Sequence, residues 1–239
     1  MKIDVLTDAS AVARKGAAII AQIARDAIDH RGRFIMAVSG GNTPWQMLRV
    51  LAAEDIAWDK VHIAQVDERV APFGDAERNL THLRDSLGAK APPHAAHVHP
   101  MPVEEAPLVA TAMRYALLLA RLAGSPPVLD LVQLGLGLDG HTASLMPGDP
   151  VIDIEDMDVA VTGTYQGRRR MTLTYSIINR ARFVLWVVTG AAKAQVLERF
   201  HRGDAELPAS RINRDHALLL ADRDAAASLI DESLQTSFE

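Results

Sequence analysis

The 239-residue chain has no cysteine. That excludes disulfides, a thiolate nucleophile and Cys-type zinc centres, and it fits a reducing compartment. Nor is there an excess of positive charge: 25 Lys and Arg against 30 Asp and Glu leave a formal net charge of -5. A general nucleic-acid binder or a protein held on an anionic membrane is not expected from this balance, although it allows a local basic pocket. No apolar run approaches the roughly 20 residues of a membrane span. The opening residues, Met1-Lys2-Ile3-Asp4-Val5-Leu6-Thr7-Asp8, are too polar for a secretory leader. Together these absences predict a cytoplasmic protein. With no cysteine and no Gly-x-Ser-x-Gly elbow, a covalent acyl-enzyme is not expected, and the zinc-hydrolase motif His-Glu-x-x-His is also missing.

What is present is an alternation of helical and strand patterns. Apolar positions at helical spacing run from Ser10 to His30, with Asp8 or Ser10 to cap the start and Gly32 to close the end. Strands are predicted at Phe34–Val38, Val61–Val66, Val128–Gln133, Phe183–Val188 and Ala217–Leu220. Between them, helices are predicted near Pro44–Ala53 (capped by Thr43), Asn79–Gly88, Glu104–Leu122, Tyr175–Ala181, Ala191–Phe200 and Ala225–Leu234. Asp67-Glu68-Arg69 is expected in a loop, and His94, His97 and His99 in a proline-rich connector that offers no nearby carboxylate for a metal. The fold class is α/β: a three-layer α/β/α arrangement with a mainly parallel, Rossmann-like sheet. Residues 1–239 read as a single domain, with 149–170 a candidate small lid or subdomain.

Four stretches carry the chemistry. Ser39-Gly40-Gly41-Asn42-Thr43-Pro44 is a glycine-rich strand-to-helix turn. Its backbone N–H groups lie at the positive end of a helix dipole and suit a phosphate. It lacks the Gly-Lys-Ser/Thr end of a Walker A loop. Asp67-Glu68-Arg69 follows an apolar strand, and an arginine there can fork onto two oxygens of a phosphate or carboxylate. Gly135-Leu136-Gly137-Leu138-Asp139-Gly140-His141 formally matches the dinucleotide fingerprint, but Pro147-Gly148 interrupts where a long helix should run. The better reading makes His141 a proton acceptor oriented by Asp139, with glycine-turn N–H groups available to an oxyanion. Arg168-Arg169-Arg170 and Lys193 form the basic set. A lysine in a first helical turn opposes the dipole unless an anion sits there.

In this order, the stretches resemble the 6-phosphogluconolactonase family over nearly the whole chain. Its Ser-Gly-Gly-x-Thr-Pro loop, its Asp-Glu-Arg and its long Gly-x-Gly-x-Asp-Gly-His-Thr-Ala-Ser-Leu-Phe-Pro-Gly segment are similar to residues 39–44, 67–69 and 135–148, with Met146 where phenylalanine is commoner. Arg170-Met171-Thr172-Leu173-Thr174 and Gly190-Ala191-Ala192-Lys193-Ala194 resemble two further family segments. One departure is Gly167-Arg168-Arg169, where many members carry lysine and proline. It leaves open which arginine meets substrate. The resemblance implies a fold like that of sugar-phosphate isomerases and deaminases. It also implies hydrolysis of 6-phospho-D-glucono-1,5-lactone in the oxidative pentose phosphate pathway, without metal or organic cofactor. Catalysis is then expected from His141 and Asp139. Ser39, Gly40, Gly41, Thr43, Asp67, Arg69, Arg170 and Lys193 are expected to bind substrate. The partner is a small molecule rather than nucleic acid or membrane, and a monomer is expected.

Two alternatives differ in class. Glucosamine-6-phosphate deaminase shares the loop and an Asp-Gly-His, but its turn places a glutamate soon after the histidine. Here Ser144-Leu145-Met146-Pro147 supplies none. A non-catalytic sugar-phosphate sensor would need an appended DNA-binding module, for which no basic segment exists.

Overall fold

The computed structural model describes residues 1–88 and 97–229. Elements follow in the order β1 (Lys2–Leu6), α1 (Ala9–Arg31), β2 (Phe34–Val38), α2 (Asn42–Leu51), β3 (Val61–Gln65), β4 (Asp67–Arg69), α3 (Asn79–Leu87), β5 (His97–His99), α4 (Leu108–Ala123), β6 (Leu131–Leu134), β7 (Val159–Val161), β8 (Arg170–Leu173), α5 (Tyr175–Arg180), β9 (Val184–Val188), α6 (Ala194–Arg202) and β10 (Ala217–Asp222). His94 and the second half of the expected last helix, 230–234, lie outside the described residues.

Seven strands form one parallel sheet in the order β1-β10-β9-β6-β2-β3-β5. Its central strands are buried on both faces, as crossover helices require. Along β2, Phe34, Met36 and Val38 pack with α1, α2 and α3, while Ile35 and Ala37 pack with α4, α5 and α6. This period-2 division gives the three layers. From β2 the chain moves outward through β3 to β5, then returns as β6 on the other side of β2. The crevice at the carboxyl ends of β2 and β6 is therefore a topological switch point, where open α/β sheets bind ligands. Among the described residues, no helix is long and apolar enough to cross a membrane.

α1 starts and ends as its caps predict. Asp8 accepts from Ala11 N at 2.8 Å, and Gly32 closes the helix in the left-handed region at φ 77°. Elsewhere the structure corrects the sequence reading. Asp67-Glu68-Arg69 is a strand, not a loop: β4 pairs antiparallel with β8, and β7 lies beyond β8. Its charges hide it, because Glu68 is fully buried and its carboxylate is satisfied internally. It accepts from Gln65 Nε2 and from the N–H groups of Arg69, Asn79 and Leu80, and it is ion-paired with buried Arg78 at 3.0 Å. Glu68, not Asn79, thus caps α3. Thr43 does not cap α2; its hydroxyl meets that of Thr189 at 2.6 Å, and Gly41 holds the cap position. β1, whose side chains are only partly buried on the sheet edge, carried too little apolar pattern to be read as a strand.

His97 and His99 lie on β5 rather than in a connector, and they face His62 of β3. His62 Nδ1 is 3.0 Å from His99 Nε2, and the His62 ring stacks on both neighbours. Among the described residues, no group of three or more His, Asp or Glu is placed to hold a metal ion. Burial, then the charges of His99 and His97, push the His62 pKa down to about 4, and burial also lowers that of His99. A histidine whose folded pKa is depressed stabilises the fold fully above its unfolded value near 6.5. That contribution is lost as pH falls towards about 4. Urea unfolding at pH 7.5 and pH 5.0 should show stability falling with pH, and His62→Gln should reduce the fall. An equal fall in the variant would contradict this origin.

Candidate active site

A cavity of about 370 Å³ opens at the switch point. Ser39 and Gly40 reach it from the end of β2, and Asp67 and Arg69 from β4. Asp139 and His141 come from the turn after β6, Arg170 from β8, and Lys193 from the turn before α6. Gly41 and Thr43 do not line it. Asn79, Tyr165 and Gln166 do, and the sequence does not mark them as site residues. Asn79 reads there only as a helix cap, and nothing in the pattern around Tyr165 distinguishes it from an ordinary loop residue.

At one part of the cavity, His141 Nδ1 lies 2.5 Å from Asp139 Oδ1. An ionised carboxylate can only accept, so Nδ1–H is the donor in this contact. It leaves Nε2 as the basic nitrogen. Burial raises the Asp139 pKa, but the charge and hydrogen bonds of His141 outweigh it, so the carboxyl lies below its ordinary value. The pair needs Gly137: a Cβ there would stand 2.2 Å from His141 Nδ1. The turn closes on itself through Gly137 N to His141 O at 2.8 Å and Gly140 N to Gly137 O at 3.0 Å. His141 N donates to Asp139 Oδ1 at 3.2 Å. These three N–H groups shape the turn. No α-helix opens after Gly140, so the glycine spacing is not a dinucleotide loop.

At another part, cations gather. Arg69 donates to Glu77 O and Asn79 Oδ1, both at 2.8 Å. Of Arg168, Arg169 and Arg170, it is Arg170 that lines the cavity. Arg168 is paired with Asp75 and Glu77, and Arg169 Nε donates to Thr162 O. Burial, with repulsion from Arg69, lowers the Arg170 pKa against the pull of Asp67. The Nε atoms of both Arg69 and Arg170 are buried without a partner. Lys193 Nζ donates to Leu136 O at 2.6 Å, and burial lowers its pKa against the attraction of Asp139. Asp67 is fixed by Ser144 Oγ at 2.6 Å and Asn79 Nδ2 at 3.2 Å. Ser39 ties β2 to β6, with N donating to Gln133 Oε1 and Oγ to Gln133 O. Gly40 lets Asn79 approach, since a Cβ would stand 2.1 Å from Asn79 Oδ1.

Comparison with known proteins gives this geometry its family. The model of glucosamine-6-phosphate isomerases/6-phosphogluconolactonase matches residues 7–220. The chain belongs to this family. A 6-phosphogluconolactonase of Synechocystis is 34% identical over 209 residues, covering 86% of this chain and 87% of its own. One of Mycobacterium tuberculosis is 37% identical over 217 residues, covering 85% and 88%. The solved structure of a Trypanosoma cruzi 6-phosphogluconolactonase superposes with a TM-score of 0.81 at 26% identity, covering 95% of this chain and 96% of its own. The family's name spans two activities, and the three relatives carry the lactonase name.

The space at Gly137 gives a direct test. Gly137→Ala should displace the imidazole and cut turnover about 100-fold or more, the scale of losing a positioned base, while the unfolding midpoint moves little. Retained turnover would show that the Asp139–His141 pair tolerates a side chain there.

Proposed function

We propose that this chain hydrolyses 6-phospho-D-glucono-1,5-lactone to 6-phospho-D-gluconate in the oxidative pentose phosphate pathway, with His141 as general base. The observation that carries the mechanism is the 2.5 Å Asp139–His141 contact beside a cavity containing Arg69, Arg170 and Lys193. His141 Nε2 takes a proton from water as the water oxygen attacks the lactone carbonyl carbon. The carbonyl oxygen becomes an oxyanion. When the bond from that carbon to the ring oxygen breaks, the imidazolium returns its proton to the ring oxygen. Asp139 holds Nδ1–H throughout and stabilises the imidazolium.

The phosphate is assigned to Arg69 and Arg170, whose mutual repulsion an anion would relieve, with Gly40 adding a donor and Lys193 a charge. Ser39, Gly41 and Thr43 support the loop that presents Gly40, and Asp67 is assigned to a sugar hydroxyl. Fixing the remote phosphate orients the lactone, so binding energy away from the reacting bond lowers its barrier. The segment 149–170 contains β7, and its Tyr165, Gln166 and Arg170 line the cavity; we read it as a small subdomain of a single-domain chain. The enzyme acts as a cytoplasmic monomer.

The glutamate needed for a sugar isomerisation–deamination shuttle is missing from the described residues lining the cavity. Freshly made 6-phosphogluconolactone should therefore release acid faster with the protein than without it, whereas glucosamine 6-phosphate should release no ammonium. His141→Ala should lower kcat by about 10²–10⁴-fold. Ammonium release without accelerated lactone loss would overturn the assignment, and near wild-type turnover in the variant would remove the general-base role.

A further inference from the structure

Resting on the lactonase reading, we propose that Tyr165 is a positioning residue that holds both the Asp139–His141 pair and Arg170 in their working places. Its hydroxyl lies 3.5 Å from Asp139 Oδ2, the carboxylate oxygen that His141 Nδ1 does not occupy. That contact is long in the free site, as catalytic hydrogen bonds often are before substrate tightens them. Its ring meets the His141 ring edge-on at 6.1 Å, and the Arg170 guanidinium carbon lies 5.1 Å from its centroid. One side chain thus touches the carboxylate, the base and a substrate-binding cation.

The backbone places it there by design of the turn. Tyr165 and Arg168 face each other across a two-residue hairpin loop, with Tyr165 N donating to Arg168 O at 2.9 Å and Arg168 N to Tyr165 O at 3.2 Å. Gln166 and Gly167 between them have φ of 51° and 78°. Two successive positive φ values are the signature of a type I′ turn, whose twist matches its strands. Gln166 is not glycine, so it holds an uncommon left-handed conformation. The tip is anchored on its far side, where Arg168 pairs with Asp75 at 3.2 Å and with Glu77. Gln166 Oε1 accepts from Arg170 at 3.4 Å, so the hairpin reaches that guanidinium from two residues.

The tip also divides space. A side cavity of about 150 Å³ is lined by Arg69, Glu77, Tyr165, Gln166, Arg168 and Arg170. Tyr165, Gln166, Arg69 and Arg170 border both it and the main cavity. An unheld Arg170 would have this second volume to enter, and the Tyr165 ring keeps it at the main site. A tyrosine that only filled space would need no contact with Asp139, and its loss would act on affinity and turnover without regard to Arg170.

The variants separate the hydroxyl from the ring. Tyr165→Phe should lower kcat for the lactone about 3–10-fold with KM within about twofold, because one hydrogen bond to a charged group is lost while the ring stays. Tyr165→Ala should lower kcat similarly. It should also raise KM, and the Kd of 6-phosphogluconate measured by calorimetry, about 3–10-fold through loss of the cation–π contact. In an Arg170→Ala background, Tyr165→Ala should add no further loss of 6-phosphogluconate affinity. An unchanged kcat in Tyr165→Phe, or an affinity loss that adds fully to that of Arg170→Ala, would overturn the proposal. Failure of the lactonase reading is seen separately, as a wild-type protein inactive on the lactone, and the binding arm does not depend on turnover.

Discussion

Everything at the site is arranged around one hydrogen bond, between Asp139 Oδ1 and His141 Nδ1. Residues two apart in sequence do not ordinarily face each other, so the backbone between them must double back. Gly137 and Gly140 allow that. The first has no side chain where the imidazole sits, and the second adopts φ of 81° against Leu207. The N–H groups of Gly137, Gly140 and His141 then lock the shape. A carboxylate on one ring nitrogen fixes the tautomer of a histidine that lines the cavity. The sheet supplies the location: β6 ends beside β2 at the switch point, so the turn and the Ser39-Gly40 loop are brought side by side.

A second constraint serves the first from across the cavity. The buried Glu68 carboxylate binds the start of α3, the β4 backbone and Arg78 into one unit. Removing one member of such a pair leaves an uncompensated buried charge, a cost of about 3–5 kcal/mol. The charge is therefore structural, while its neighbours on either side, Asp67 and Arg69, face the site. Ser144 closes the loop between the two halves: its hydroxyl binds Asp67 and its N–H binds Thr172 of β8. The Asp-Gly-His segment and the small antiparallel sheet are thus fastened together.

The parts that sequence made legible are those governed by local pattern. β2 was bounded correctly because five apolar residues stand between an αL glycine and a glycine-rich turn. Glycine spacing and charge at strand ends single out Ser39, Gly40, Asp67, Arg69, Asp139 and His141, the basic set adds Arg170 and Lys193, and the structure gathers all eight at one cavity. What stayed hidden depends on partners distant in the chain. β4 reads as a charged loop until β8 pairs with it and Glu68 finds its donors. The histidines of β5 read as a connector until His62 stands beside them. Thr43 looked like a helix cap because Thr189, 146 positions away, cannot be seen from its neighbours. Tyr165 and Asn79 acquire meaning only from what the hairpin and α3 bring them against.

The central claim is that Asp139 holds the proton on Nδ1 and leaves Nε2 bare to accept one from water. Long-range ¹H–¹⁵N correlation of the His141 ring in the uncomplexed protein, at a pH where the imidazole is neutral, reads this directly. The account predicts the Nδ1–H tautomer, with Nε2 showing the shift of an unprotonated nitrogen. A ring found predominantly with its proton on Nε2 would contradict it.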